Sequence, residues 1–207
     1  EPETVATAAI LVEYLEQWGF PITQPVASAL LAGLVADTLG FRTSNMNPRA
    51  LELAALLMQK GADLPAIYDQ ALVRRSFDDA RLWAMGLSRL QRQNGLVWAW
   101  LTLDDKIKVN YSGNDDADLI NYIASIEDSS ISVMFVEQKE GNVKVSWRAQ
   151  PGIDISSIAL RFGGGGHPAA AGAMIAGTME DVQEQVLIET FALLNKPMEV
   201  QGDVTPS

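Results

Sequence analysis

The sequence predicts an α+β fold in two units, a helical first part and a smaller second part built on a mixed sheet. Three observations predict it. Up to about residue 92 the apolar residues recur mostly at helical spacing. From Gly95 onward short β-rich runs alternate with helical stretches. The last long segment, Met179 to Leu194, is amphipathic with a helical period.

Thr4 to Trp18 carries Val5, Ala8, Ala9, Val12 and Leu15 on one helical stripe and is stopped by Gly19. Pro25 suits the first turn of a second helix that continues through Val35. Asn47 followed by Pro48 opens a third, which runs to Lys60 and ends at Gly61. Asp63 with Pro65 starts a short one to about Val73. Ser76 with Asp79 reads as a capping box ahead of a helix from Ala80 to Gln93. Gly95 to Leu103 then reads as a buried strand, and Asp115 to Ser125 as helix. Ile131 to Glu137 and Val143 to Ala149 form a hairpin around Glu140, Gly141 and Asn142. Asp154 caps a short helix to Phe162. A glycine run follows, then a strand near Gly172 to Ala176 and the last helix. The expected division is residues 1–92, 93–195 and a loose tail, 196–207, with no internal repeat.

Composition narrows the function. Of 207 residues 48% are apolar and 20% charged, which suits a soluble globular chain and excludes disorder over most of it. The net charge of -11 disfavours coating of long nucleic acid or an anionic membrane. Cysteine is absent and histidine occurs once, so thiol nucleophiles, Cys-ligated metal and any two-histidine site from this chain are excluded. No apolar run is long enough for a membrane span, and the acidic start lacks the basic region of a signal peptide. A cytoplasmic location is expected. The chain does not begin with Met and enters a helix almost at once, so it is expected to be a fragment.

The segment Arg161 to Gly172, Arg-Phe-Gly-Gly-Gly-Gly-His-Pro-Ala-Ala-Ala-Gly, is the strongest chemical signal. Glycine is entropically costly, and a run of four is kept where side chains would obstruct something. An anion approaching the amides of Gly163, Gly164, Gly165 and Gly166 is one such thing, with His167 as an adjacent hydrogen-bond donor; a flexible loop or close backbone crossing is the other reading. In Val143 to Arg148, alternation sets Val143, Val145 and Trp147 on one face and Lys144, Ser146 and Arg148 on the other. Arg148 there suits bidentate phosphate binding, or an ordinary solvated strand face. Asp37, after an apolar run in Gly33 to Arg42, suits Mn²⁺ or Mg²⁺ or simply caps a turn. Arg74, Arg75, Arg81, Arg89 and Arg92 read as a solvated face paired with Asp78 and Asp79. Asp115, Asp116 and Asp118 read as a helix N-terminus, and Trp83, Trp98, Trp100 and Trp147 as core.

These residues resemble a known family. Gly163 to Gly172 is similar to the hallmark of the DHH-associated C-terminal domain, and Val145 to Arg148 to its Ser-x-Arg strand, with Ser146 and Arg148 as the matching positions. Gly33 to Arg42, with Ala-Asp-Thr-x-x-Phe-Arg, resembles the last metal motif of the DHH phosphoesterase domain, and Glu3 to Leu15 the helix that follows its Asp-His-His motif. The resemblance implies the helical end of a DHH catalytic domain followed by a DHH-associated substrate-binding domain. It implies a Mn²⁺-dependent (or Mg²⁺-dependent) phosphoesterase acting on short oligoribonucleotides, adenosine 3′,5′-bisphosphate or cyclic di-AMP, in that order, as an exonuclease-like hydrolase. Asp37 would be a metal ligand. Ser146, Arg148, Gly163 to Gly166 and His167 would hold the substrate's phosphates, with Arg42 as a further contact. The partners implied are short RNA or small nucleotides, not long nucleic acid and not a membrane, and a homodimer stays open. The family's earlier Asp-x-Asp and Asp-His-His motifs are expected N-terminal to this segment, and the single histidine, already part of the glycine motif, leaves no Asp-His-His here, so this chain alone is expected to bind substrate without holding a metal cluster or turning over. The alternatives are a non-catalytic nucleic-acid-binding module related to the C-terminal domain of alanyl-tRNA synthetases, and an interaction domain with an incidental glycine loop.

Overall fold

The computed structural model of the chain describes residues 5–43 and 45–194. It divides into two compact units between Arg75 and Ser76. The division falls earlier than residue 92, because the helix that follows Ser76 packs on the second unit's sheet. The expected tail, 196–207, lies outside the described residues.

The first unit comprises α1 (Thr7–Gln17), α2 (Gln24–Asp37), α3 (Pro48–Gln59) and α4 (Leu64–Tyr68), the last running into a π-helical turn, Asp69–Val73. Asn47 caps α3 by accepting the Ala50 N–H, and Asp63 caps α4 by accepting that of Ala66. The stripes read from the sequence meet in one core of Ala9, Val12, Leu31, Leu34, Leu53 and Leu57.

The second unit comprises α5 (Phe77–Leu87), β1 (Gln91–Gln93), β2 (Leu96–Leu101), α6 (Leu103–Val109), α7 (Leu119–Ile123), β3 (Ile131–Gln138), β4 (Asn142–Ala149), α8 (Ser156–Arg161), β5 (Gly165–His167), β6 (Ala170–Ala176) and α9 (Met179–Leu194). The six strands form one mixed sheet in the order β1-β2-β3-β4-β6-β5, parallel only between β2 and β3. One face buries Leu96, Val133, Phe135, Val145 and Trp147 against α8 and α9, with Trp147 donating its indole N–H to Thr190. The other buries Val97, Ala99, Leu101, Met134 and Val136 against α5, α6 and α7. No described helix is long and apolar enough to cross a membrane.

Three expectations are corrected. The helix that begins at Phe77 stops at Leu87; Gln91–Gln93 is a strand, turned back onto β2 by Asn94 and Gly95, both at positive φ. Leu103 opens α6 instead of ending a strand, because Thr102 and Asp105 form a capping box. Of Asp115 to Ser125 only Leu119–Ile123 is helical. A fourth correction concerns the basic stretch: Arg74, Arg89 and Arg92 pair with Asp69, Asp105 and Asp128 and not with Asp78 or Asp79, and Asp79 serves the Ser76 capping box.

Asp105 is the electrostatic anchor of this unit. Its carboxylate is buried, yet it accepts a bidentate hydrogen bond from Arg89 as well as the Thr102 N–H. Burial raises its pKa, but the Arg89 fork and the capping box outweigh burial and hold it at about 2. A depressed carboxyl pKa contributes stability above the unfolded value and loses it as pH falls through the folded one. The contribution is about 2 kcal/mol. Asp105→Asn is expected to destabilise the protein by about 3 kcal/mol near neutrality. The gap between wild type and variant narrows as pH falls from about 4 toward 2. Urea unfolding at a series of pH values checks it, and a gap constant to pH 2.5 contradicts it.

Candidate functional site

Antiparallel pairing sets opposed residues on the same face of a sheet. Arg148 stands opposite Ala170 and Ala170 opposite His167; Ser146 stands opposite Gly172 and Gly172 opposite Gly165; Lys144 stands opposite Met174. All eight therefore share the face that α5, α6 and α7 cover over β2 and β3. None of them joins a core cluster, and Met174 is 54% exposed. The result is a shelf with Lys144, Ser146 and Arg148 along one side, His167 at the outer edge, and a floor of glycine and alanine between. At a strand spacing of ~4.8 Å, the main chains at Arg148 and His167 lie about 10 Å apart, two strand gaps away from each other. Among the described residues, the Ser146 hydroxyl and the His167 imidazole make no hydrogen bond within the chain.

The four glycines have different reasons for being glycine. Gly163 is at φ +74°, at the end of α8, where its N–H goes to the Leu160 carbonyl; the Gly164 N–H goes to that of Ala159. A Cβ on Gly164 would lie 2.1 Å from the Gly172 carbonyl oxygen, and one on Gly166 would lie 2.5 Å from that of Ala170. Gly165 has neither constraint: its φ is not positive and a Cβ there would meet nothing within 4 Å. The expected row of four free amides is therefore corrected. Two amides are spent on the helix end, and Gly165 to His167 form an edge strand with one side of its backbone unpaired.

Arg148 is partly buried. Its Nε donates to the Asn121 side-chain oxygen at 3.1 Å and its Nη1 to the Trp147 carbonyl at 2.9 Å, leaving donors on the fork free. Burial lowers its pKa, while Asp116 and Asp118 oppose the shift; as a guanidinium it is a cation throughout. The cleft beside it, between Ser132, Arg148 and Gln150, has a volume of about 20 Å³, room for a water molecule and not for a nucleotide. A larger ligand on Arg148 must lie on the shelf. Asn121 escaped the sequence reading, although a lone amide inside Leu-Ile-Asn-Tyr-Ile was its signal.

Asp37 and Arg42 belong to the first unit. Asp37 ends α2 and is exposed. The next residue, Thr38, is buried, donates to the Leu34 carbonyl at 2.6 Å and accepts the Phe41 N–H. Leu39, Gly40 and Phe41 all have positive φ, and a Cβ on Gly40 would strike the Tyr68 ring. Among the described residues no three His, Cys, Asp or Glu side chains gather into a metal-binding group. Asp37 alone does not fit a resident ion.

An α+β domain whose sheet ends in a Ser-x-Arg strand, a small-residue strand and a glycine-run edge strand defines a recognisable class. Residues 96–195 match the DHHA1 domain. The bifunctional oligoribonuclease and PAP phosphatase NrnA of Thermus thermophilus is 34% identical over 190 residues, 90% of this chain and 56% of that protein. The protein of the same name from Mycoplasma genitalium is 30% identical over 84% of this chain and 54% of its own length. An exopolyphosphatase-related protein from Bacteroides fragilis superposes with a TM-score of 0.85 at 27% identity, covering 95% of this chain and 60% of that one. Residues 96–195 are a DHHA1 domain, and the chain as a whole is similar to part of these DHH-family phosphoesterases. It spans a little over half the length of the curated relatives it matches.

The glycines are separable by experiment. Gly164→Ala and Gly166→Ala each drive a Cβ into backbone and should cost about 1–3 kcal/mol. Gly165→Ala should stay within about 0.5 kcal/mol of wild type. Thermal unfolding of the three variants reads this directly, and equal losses at all three positions contradict it.

Proposed function

We propose that this chain holds the phosphate-bearing end of a short oligoribonucleotide or small nucleotide, in a protein that hydrolyses phosphodiester or phosphate-monoester bonds. One observation carries the reading. Ser146, Arg148 and His167 share a sheet face with a floor on which Gly165 is kept free of a side chain without any demand from the fold. Arg148 supplies a planar fork and a fixed charge for a phosphate. Ser146 and His167 add hydrogen-bond partners on either side, and the bare floor lets the ligand's backbone approach closely. The names of the relatives, an oligoribonuclease and PAP phosphatase, support the substrate class.

The same reading makes the whole protein's reaction Mn²⁺- or Mg²⁺-dependent, with Asp37 as one ligand. The described residues do not complete a donor set for such an ion. The part played by the residues present is to capture and orient: Arg148, held by Asn121, fixes the phosphate, and His167 limits its position from the outer strand.

Binding of a 5′-phosphorylated trinucleotide to this chain, measured by calorimetry beside binding of a tRNA, tests the proposal. The trinucleotide is expected to bind. Arg148→Ala and His167→Ala should weaken it about tenfold or more, the scale of a lost charge-assisted hydrogen bond. Gly165→Val should do the same with little change in unfolding temperature. Tighter binding of tRNA than of the trinucleotide favours the non-catalytic module instead. Wild-type affinity in all three variants ends the proposal.

A further inference from the structure

The shelf is bare in its middle and bounded at its far end. Strand pairing sets Arg148 and His167 in one row, Ser146, Gly172 and Gly165 in the next, and Lys144 with Met174 in the third. The middle row carries no side chain beyond the Ser146 hydroxyl at one side. A Cβ on Gly172 would come within 3.2 Å of the Val145 carbonyl oxygen, so the fold itself restricts that position, whereas the space over Gly165 is open. Met174 stands where this strip ends. Its chain neighbours, Ala173 and Ile175, turn to the opposite face and pack in the core there, while Met174 is exposed. Among the described residues that face the shelf on β4, β5 and β6, it is the one with a large apolar side chain. Four steps along the strands separate its row from that of Arg148, about 13 Å at a rise of ~3.3 Å per residue. One nucleotide laid along the strands, phosphate at one end and base at the other, has that reach. A base presents a flat aromatic ring, and a thioether is a favourable partner for such a ring. An unbranched side chain with three rotatable bonds also adapts to rings of different size.

We propose that Met174 is the base contact of the shelf. The base of the bound nucleotide lies over Gly172 and Gly165 with its ring against the Met174 thioether, and its phosphate is at Arg148. This rests on the proposed function for the phosphate and adds which part of the ligand the far row reads. Contact of this kind is with the ring itself and not with its hydrogen-bonding edge, so purines and pyrimidines are both accepted. A sugar phosphate without a base loses the contact altogether.

The test is titration of the chain with adenosine 5′-monophosphate and with ribose 5-phosphate, which lacks the base, followed by NMR of the methionine methyl groups. The Met174 methyl signal is assigned by its loss in Met174→Leu. Adenosine 5′-monophosphate should move it upfield through the ring current of the base, and ribose 5-phosphate should leave it in place. Met174→Ala should weaken the monophosphate about three- to tenfold, the scale of a lost sulfur–aromatic contact, and ribose 5-phosphate by less than about twofold. The unfolding temperature of Met174→Ala should barely change, since the side chain is exposed. Arg148→Ala should weaken both ligands. A Met174 methyl that does not respond to the monophosphate, or an equal loss of both ligands in Met174→Ala, overturns the base contact; where Arg148→Ala still weakens both, the phosphate reading stands. No binding of either ligand, or binding indifferent to Arg148→Ala, sinks the phosphate reading and the base contact with it.

Discussion

The candidate site exists because of strand register. β4, β6 and β5 pair antiparallel, with Arg148, Ala170 and His167 in one row and Ser146, Gly172 and Gly165 in the next. A slip of one residue in β6 would turn Ala171 and Ala173 outward and move the glycine floor into the core. Register is held from the other face. Trp147, Val145 and Val143 are buried there, Phe162 stacks on Trp147 with ring centroids 6.4 Å apart, and the glycine run starts at the next residue. The packing that stabilises the sheet thus also fixes where the polar groups of the opposite face stand.

Arg148 shows how such a site is kept ready. A guanidinium withdrawn from water needs partners, and the fold supplies two, the Asn121 amide and the Trp147 carbonyl. Neither is an anion, so the charge is oriented without being neutralised at contact distance. Asp116 and Asp118 act on it from farther off. A partner carboxylate in bidentate contact, as Asp105 has with Arg89, would compete directly with a phosphate. The two arginines illustrate the difference between a group used for stability and one left with donors to spare.

Much of this was legible in the residues, and the exceptions have physical causes. Caps and breakers are local, so Asn47, Asp63, Ser76 and Gly61 marked helix ends correctly. The alternation of Val143 to Arg148 placed Ser146 and Arg148 on the polar face, as found. β1 was hidden because Gln-Arg-Gln has no strand signature; only its pairing with β2, through the Asn94-Gly95 turn, makes it a strand. α6 was hidden because its Thr102–Asp105 capping box stands inside what reads as a strand end. The burial of Lys106 follows from its sharing a helical stripe with Leu103 and Val109, a spacing visible in the chain whose meaning depends on knowing that a helix is there. The glycine run concealed most. Four identical residues meet four different demands: left-handed φ, a carbonyl that leaves no room for a Cβ, open space, and both positive φ and close contact together.

The acidic charge of the chain and the cations of the shelf are consistent with each other on the proposed reading. At physiological ionic strength a charge is screened beyond about 8 Å. A ligand of one to a few nucleotides resting on Arg148, Ser146 and His167 therefore responds mainly to that local set, in a partly desolvated place where each contact counts for more. A longer polyanion would have to run past the shelf onto the surface of a protein with net charge -11, gaining no counterion release there and meeting repulsion. Length discrimination then needs no wall at the end of the site. It arises from a small concentration of positive charge on an otherwise negative body, so that each added nucleotide past the last cation contributes less than the one before.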